Sequence, residues 1–261
     1  MNWPCATINH RFDSDRAWVD TLPDWGYSEI ELCPRYTLEA TEELIGYALE
    51  KGVGISLHVH HGPNNITDTD QENQKLSVSQ VKYCIDLAAR YGLSTVTFHP
   101  GRLSAEGESE AEKWQQLFAV VEEIAAYAKE KQVRIAIENM ELRPLELVYT
   151  IEDLNKFAYI GENNPWLGVT LDFAHFASHG MIKPALDTLK LPLFNVHLSQ
   201  LTDEKMHAPL TAQGGKVDVP GVCQLLRDYG YTGRIILEQS AEYAESLQLL
   251  QRIFQDLVTN S

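Results

Sequence analysis

Short β-type runs of apolar residues alternate with stretches of helical periodicity from one end of the chain to the other. The strand-like runs are CATINH (5–10), SEIEL (28–32), GISLHVH (54–60), STVTFHP (94–100), VRIAIEN (133–139), LGVTLDF (167–173), LFNVHLS (193–199) and GRIILEQ (233–239). Each is rich in Ile, Val, Leu, Phe or Thr, and most follow a Gly or a Pro. Helical patterns occupy the intervals. TLEATEELIGYALEKG (37–52) spaces its apolar residues as a helix does and ends on glycine. SEAEKWQQLFAVVEEIAAYAKEK (109–131) opens with Ser109 followed by acids, as a capped helix should.

Alternating strands and helices imply a parallel sheet with right-handed helical crossovers. Eight such units most simply close into an α/β (β/α)8 TIM barrel, and 261 residues suit one such domain over 1–261. A doubly wound open sheet is the alternative, but no G-x-G-x-x-G follows the first strand. No Pro/Gly/Ser-rich linker and no solenoid-length repeat divides the chain.

Composition narrows the class. With 44% hydrophobic and 22% charged residues the chain reads as an ordinary globular protein, without an apolar run long enough to span a bilayer. The start, MNWPCATINHRF, lacks the basic and apolar regions of a secretory signal. The four cysteines are scattered without C-x-x-C spacing, so reduced thiols and a cytoplasmic location are expected. A net charge of −16 disfavours a nucleic-acid partner, since phosphate backbones are repelled.

The polar residues then change the picture. In LDFAHF (171–176), Asp172 stands in what otherwise reads as a buried strand. An unpaired buried carboxylate costs several kcal/mol or takes up a proton, so Asp172 requires a partner. In a barrel enzyme chemistry gathers at the C-terminal ends of the strands. Those ends carry Glu31, His58, His60, His99, Glu138, Asp172 with nearby His175, His197 and Glu238. Such an oxygen and nitrogen donor set, without sulfur, suits Zn²⁺, Mn²⁺ or Co²⁺. A metal that stabilises the charged form of Asp172 would explain its burial. Simpler readings also exist: an acid ending a strand often caps the next helix, and a lone histidine often sits satisfied in a core. For Glu31 both readings stay open; His60 and His61 fit a supporting role, and His10 and His179 fit surface or loop positions. The set Glu138, Asp172, His197 and Glu238 fits metal binding, because four strands agree.

The segments TFHPGR (97–102), IAIENME (135–141), LDFAHFASHG (171–180), FNVHLSQ (194–200) and IILEQS (235–240) together resemble the xylose-isomerase-like TIM barrel superfamily. It groups sugar-phosphate isomerases and epimerases with zinc-dependent apurinic endonucleases. The resemblance runs through the whole chain, strand by strand. In the epimerases it implies one divalent metal held by Glu138, Asp172, His197 and Glu238. The two glutamates would double as an acid/base pair that exchanges the proton beside the substrate carbonyl through a metal-stabilised enediolate, and His175 would contact a substrate hydroxyl. In the endonucleases His58 and His99 would add a second metal, bridged by Glu138, while His175 and His207 match two ligands of a third. This chain departs from both. Lys205 of KMH (205–207) replaces the aspartate of that third site, and no arginine follows the strand-seven histidine where many epimerases carry one.

The expectation is therefore a metal-dependent isomerase or epimerase of a small sugar or sugar phosphate, with one or two metal ions per chain. Arg102, Arg35 and Lys216 lie near strand ends and are the cations available to a phosphate, and Lys205 is the candidate to replace the missing substrate-binding arginine. Gly214–Gly215 is either a ligand-binding backbone or a turn. The alternatives are a metallo-phosphodiesterase of the apurinic-endonuclease type and a non-catalytic metal- or sugar-binding barrel. Dimers and tetramers are common in the superfamily, so the resemblance allows a homo-oligomer, while the sequence itself leaves the oligomeric state open.

Overall fold

The computed structural model describes residues 3–9, 15–34, 38–59, 64–181 and 183–259. In chain order the elements are β1 (Cys5–Asn9), α1 (Asp15–Trp25), β2 (Glu29–Leu32), α2 (Leu38–Glu50), β3 (Gly54–His58), α3 (Gln71–Tyr91), β4 (Val96–Phe98), α4 (Glu110–Lys131), β5 (Ile135–Glu138), α5 (Ile151–Asn155), α6 (Ala158–Gly161), β6 (Leu167–Asp172), α7 (Phe173–Ser178), β7 (Leu193–Leu198), α8 (Val219–Tyr229), β8 (Arg234–Leu237) and α9 (Tyr243–Thr259). All eight expected strands form, and each pairs in parallel with the next. β8 returns to β1 through Cys5↔Ile235 and Thr7↔Leu237 and closes the barrel. The ladders end before the expected strands do: β3 stops at His58 and β4 at Phe98, so His99 and Glu238 lie just beyond the hydrogen-bonded sheet.

Local chemistry sets the helix limits. Asp70 accepts hydrogen bonds from the Glu72 and Asn73 amides at the start of α3, and Gly92 ends that helix at φ 65°. Ser109 caps α4 as expected. Thr150 and Asp153 form a reciprocal capping box on α5. The β6–β7 crossover departs from the simple repeat: α7 has six residues, and a short 3₁₀ turn (Leu186–Thr188) follows.

Strand alternation divides the interior into two cores. The larger lies between barrel and helices, where Leu167, Val169 and Leu171 of β6 join Ile45, Ile85, Leu117 and Ile124 of the helices. A smaller cluster of Ala6, Ile8, Cys33 and Ile236 packs separately. Next to it the barrel interior turns polar: Thr97 Oγ1 lies 2.9 Å from Thr170 Oγ1, and Asn195 Nδ2 donates to Thr97 Oγ1 at 3.3 Å. Among the described residues no helix is long and apolar enough to cross a membrane.

Candidate active site and metal centre

The site begins where β5 and β6 end side by side. Beyond Glu138 the Asn139 side chain extends the ladder, accepting from the Asp172 amide at 2.8 Å and donating to the Asp172 carbonyl at 3.0 Å. The Asn139 carbonyl in turn accepts from His175 Nδ1 at 2.7 Å. Asp172 serves two purposes. Its Oδ1 accepts from the His175 amide at 2.7 Å and caps α7. Its Oδ2 is buried with no hydrogen-bond partner. The cap thus accounts for half of the carboxylate, and the other half points to a cation.

His197 supplies the next constraint. Its Nδ1 lies 2.9 Å from Glu138 Oε1 and 2.8 Å from Glu238 Oε2. The contact with Glu138 Oε1 is a hydrogen bond, and since a ring nitrogen has one proton at most, Glu238 Oε2 beside it makes no hydrogen bond, as expected of a cation ligand. Donor atoms of Glu138, Asp172, His197 and Glu238 all lie within 4.8 Å of one another, and all four residues are buried. The residues fit a divalent ion held by oxygen and nitrogen.

A second cluster adjoins it. His58 Nδ1 meets the Val59 carbonyl at 2.8 Å, which fixes the proton on that nitrogen and aims the other into the site. His58 Nε2 lies 3.1 Å, and His99 Nε2 3.2 Å, from the same Glu138 Oε2. Glu138 therefore turns one oxygen to His197 and the other to this histidine pair. Asp172, His175 and His207 form a third group of close donors.

Without a cation the charges are balanced by protons. Burial raises the Asp172 carboxyl to about 7, with Glu238 and Glu138 adding to the rise against His175 and His197. Burial would raise Glu138 too, but His197, His58 and His99 hold it well below the ordinary carboxylate range. For His197 burial works against charge, yet Glu31, Glu138 and Glu238 lift the imidazole well above its usual value. His58 rises likewise against burial, through Cys33 and Glu138, whereas burial lowers His99.

A cavity of about 250 Å³ opens over these groups, lined by His99, His175, His207 and Glu238 with Lys205 and Ser240. Glu138 is buried and does not line it. Lys205 donates to Ser240 Oγ at 2.6 Å. Arg143, paired with Glu141, shares the lining; neither stood out in the sequence, because both follow the strand end in what reads as an ordinary polar loop. Arg102 lines a separate cavity of about 30 Å³ with His99 and Glu146. Its loop is pressed against Thr67, where a Cβ on Gly101 would come within 2.2 Å of the threonine hydroxyl. Lys216 is exposed and pairs with Asp203 at 2.6 Å. The glycine pair serves the loop: a Cβ on Gly215 would meet the Gln200 amide at 2.4 Å, and that amide bonds the Val217 backbone. Arg35, His10, His60 and His61 lie outside the described residues. His179 follows α7, its ring 4.9 Å from that of Tyr149 and apart from the site.

The chain belongs to the xylose isomerase-like TIM barrel family, whose profile matches residues 19–253. Among solved structures, a D-tagatose 3-epimerase-like protein superposes with a TM-score of 0.82 at 18% identity, covering 98% of this chain and 99% of that one. The 3-keto-D-glucoside 4-epimerase YcjR of E. coli gives a TM-score of 0.79 at 16% identity, covering 96% of this chain and 100% of its own. At these identities the likeness is one of fold. An uncharacterized protein of Methanocaldococcus jannaschii, MJ1188, is 25% identical over 194 residues, which is 70% of this chain and 66% of that protein's length.

Proposed function

We propose that this protein is a divalent-metal-dependent isomerase or epimerase of a small sugar or sugar phosphate. The observation that carries the reading is the convergence of Glu138, Asp172, His197 and Glu238, with Asp172 Oδ2 left without a hydrogen bond, next to a polar cavity of about 250 Å³. The epimerase names of structures sharing the fold support it. A bound cation supplies Lewis-acid polarisation of the substrate carbonyl. Glu238, which lines the cavity, removes the proton from the carbon beside that carbonyl, and Glu138 is its acid/base counterpart. His175 and Lys205 hold substrate hydroxyls or a phosphate. Protein loaded with Zn²⁺, Mn²⁺ or Co²⁺ and incubated in D2O with a panel of ketoses and ketose phosphates should exchange deuterium into the substrate. Absence of exchange across a broad panel would remove the proposal.

One observation favours a second reading. His58 and His99 face Glu138 Oε2 while Oε1 faces His197, an arrangement that would let Glu138 bridge two cations for phosphoester hydrolysis. The net charge of −16 and Lys205 beside the third donor group weigh against a DNA substrate. Chelator-sensitive cleavage of abasic-site DNA would establish this alternative, and intact DNA would remove it.

A further inference from the structure

Glu31 is a fully buried carboxylate inside the barrel and lines neither cavity of the site. It contacts no lysine or arginine among the described residues. A charge in that position requires compensation, and its surroundings show where it comes from. The hydroxyls of Ser56 and Thr97 donate to Glu31 Oε1 at 3.4 and 3.3 Å. The Thr97 hydroxyl is itself oriented by Thr170 and Asn195. With Oε1 held by β3 and β4, Oε2 is directed across the barrel to β7, where it lies 2.9 Å from His197 Nε2. Neither Oε2 nor Nε2 makes an aligned hydrogen bond, to each other or to a third group, and the two face each other as a buried 2.9 Å ion-pair contact.

This matters because the two ring nitrogens of His197 face different worlds. Nδ1 meets Glu138 and Glu238, and Nε2 meets Glu31, with His58 completing a close donor group around Glu31 and His197. We infer that Glu31 is a positioning residue: it holds the proton of His197 on Nε2, fixing the tautomer and ring direction in which the Nδ1 lone pair faces the metal centre. A carboxylate behind a ligating imidazole also raises its basicity and hence its hold on a cation. The inference rests on the metal reading of the site above. It adds that the buried polar layer of β2, β3 and β4 determines how firmly the cation is held, without itself touching cation or substrate.

The test uses the whole chain with Zn²⁺ alone as the probe. Glu31→Gln keeps the shape of the side chain and removes its charge, and should weaken Zn²⁺ about 10- to 100-fold in competition with a chelator at unchanged stoichiometry. Wild-type affinity in Glu31→Gln would overturn the inference. Loss of an entire ion would also overturn it, since Glu31 would then be a ligand. Glu31→Asp, which restores the charge on a shorter arm, should recover part of the affinity. Independently, ¹⁵N NMR of the wild type at a pH where the ring is neutral should show His197 protonated at Nε2, and protonation at Nδ1 would refute the proposal. If wild-type protein takes up no divalent ion, the metal reading fails by itself, and the tautomer measurement still decides the role of Glu31.

Discussion

The two faces of the same eight strands have been put to opposite uses. On the outside of β6, Leu167, Val169 and Leu171 join a hydrocarbon layer in which Leu117 and Ile124 of α4 are also fully buried. On the inside, Thr170 and Asp172 belong to a polar set of hydroxyls, amides, carboxylates and imidazoles, beside a small apolar cluster that includes Ala6, Ile8 and Ile236. Burial is as complete in one region as in the other. Outside, it removes apolar area from water and stabilises the fold. Inside, it isolates charges from water, which weakens the metal-free protein and strengthens any interaction with a cation. Stability and chemistry are thus separated by the parity of a residue along its strand.

Four substitutions or conditions sharpen that comparison. The largest effect is expected in the lumen, where Glu238→Gln should lower the deuterium-exchange rate about 10²- to 10⁴-fold while the thermal transition of the metal-free protein stays in place. In the outer layer, Leu117→Ala should cost about 2–5 kcal/mol in urea unfolding, with metal stoichiometry unaltered. A change in metal content there would break the division between the two regions.

Asp172→Asn should do the reverse of Leu117→Ala. Asparagine caps α7 as well as aspartate does, and the change removes a buried carboxyl pushed up to about 7. The metal-free variant should unfold at the same temperature as wild type or slightly higher at pH 8, while metal binding is lost. A lower transition would mean that the carboxylate is compensated within the protein itself.

The smallest and most diagnostic effect is that of pH. Asp172 has its folded value raised from 3.8 to about 7, so the folded state binds the extra proton. That contribution is complete below about pH 4 and is lost as pH rises through about 7. The raised imidazoles of His197 and His58 act in the same direction, their contribution complete below their ordinary value of 6.5 and lost as pH rises through their raised folded values. Glu138 is held low and acts oppositely, losing its contribution only as pH falls below the carboxylate range. Between pH 6 and 9 the metal-free protein should therefore lose stability, and the metal-loaded protein should not. Thermal scans of both forms would show it, and parallel curves would contradict it.

Much of this was readable in the sequence because a closed barrel converts chain order into spatial order. The eight apolar runs predicted the strands, and residues at their C-terminal ends were brought to one face, so Glu138, Asp172, His197 and Glu238 meet as expected. Depth within the barrel was less legible. Glu31 reads as a strand-end acid, but register pairs it with Ser56, two residues short of His58, and so places it below the site. Asn139 escaped notice because its role consists of bonds to Asp172 and His175, on an element that pairs only after folding. Arg102 follows a strand end yet faces another cavity, since the packing of Gly101 on Thr67 sets the course of its loop.

The most direct measurement is the metal content of protein purified without chelator, determined by elemental mass spectrometry beside an accurate protein concentration, for wild type and Asp172→Asn. The account predicts about one divalent ion per chain in the wild type and its loss in the variant. Wild-type protein without metal, or an ion that survives Asp172→Asn, would contradict it; a second ion that depends on His58 and His99 would transfer the case to phosphoester hydrolysis.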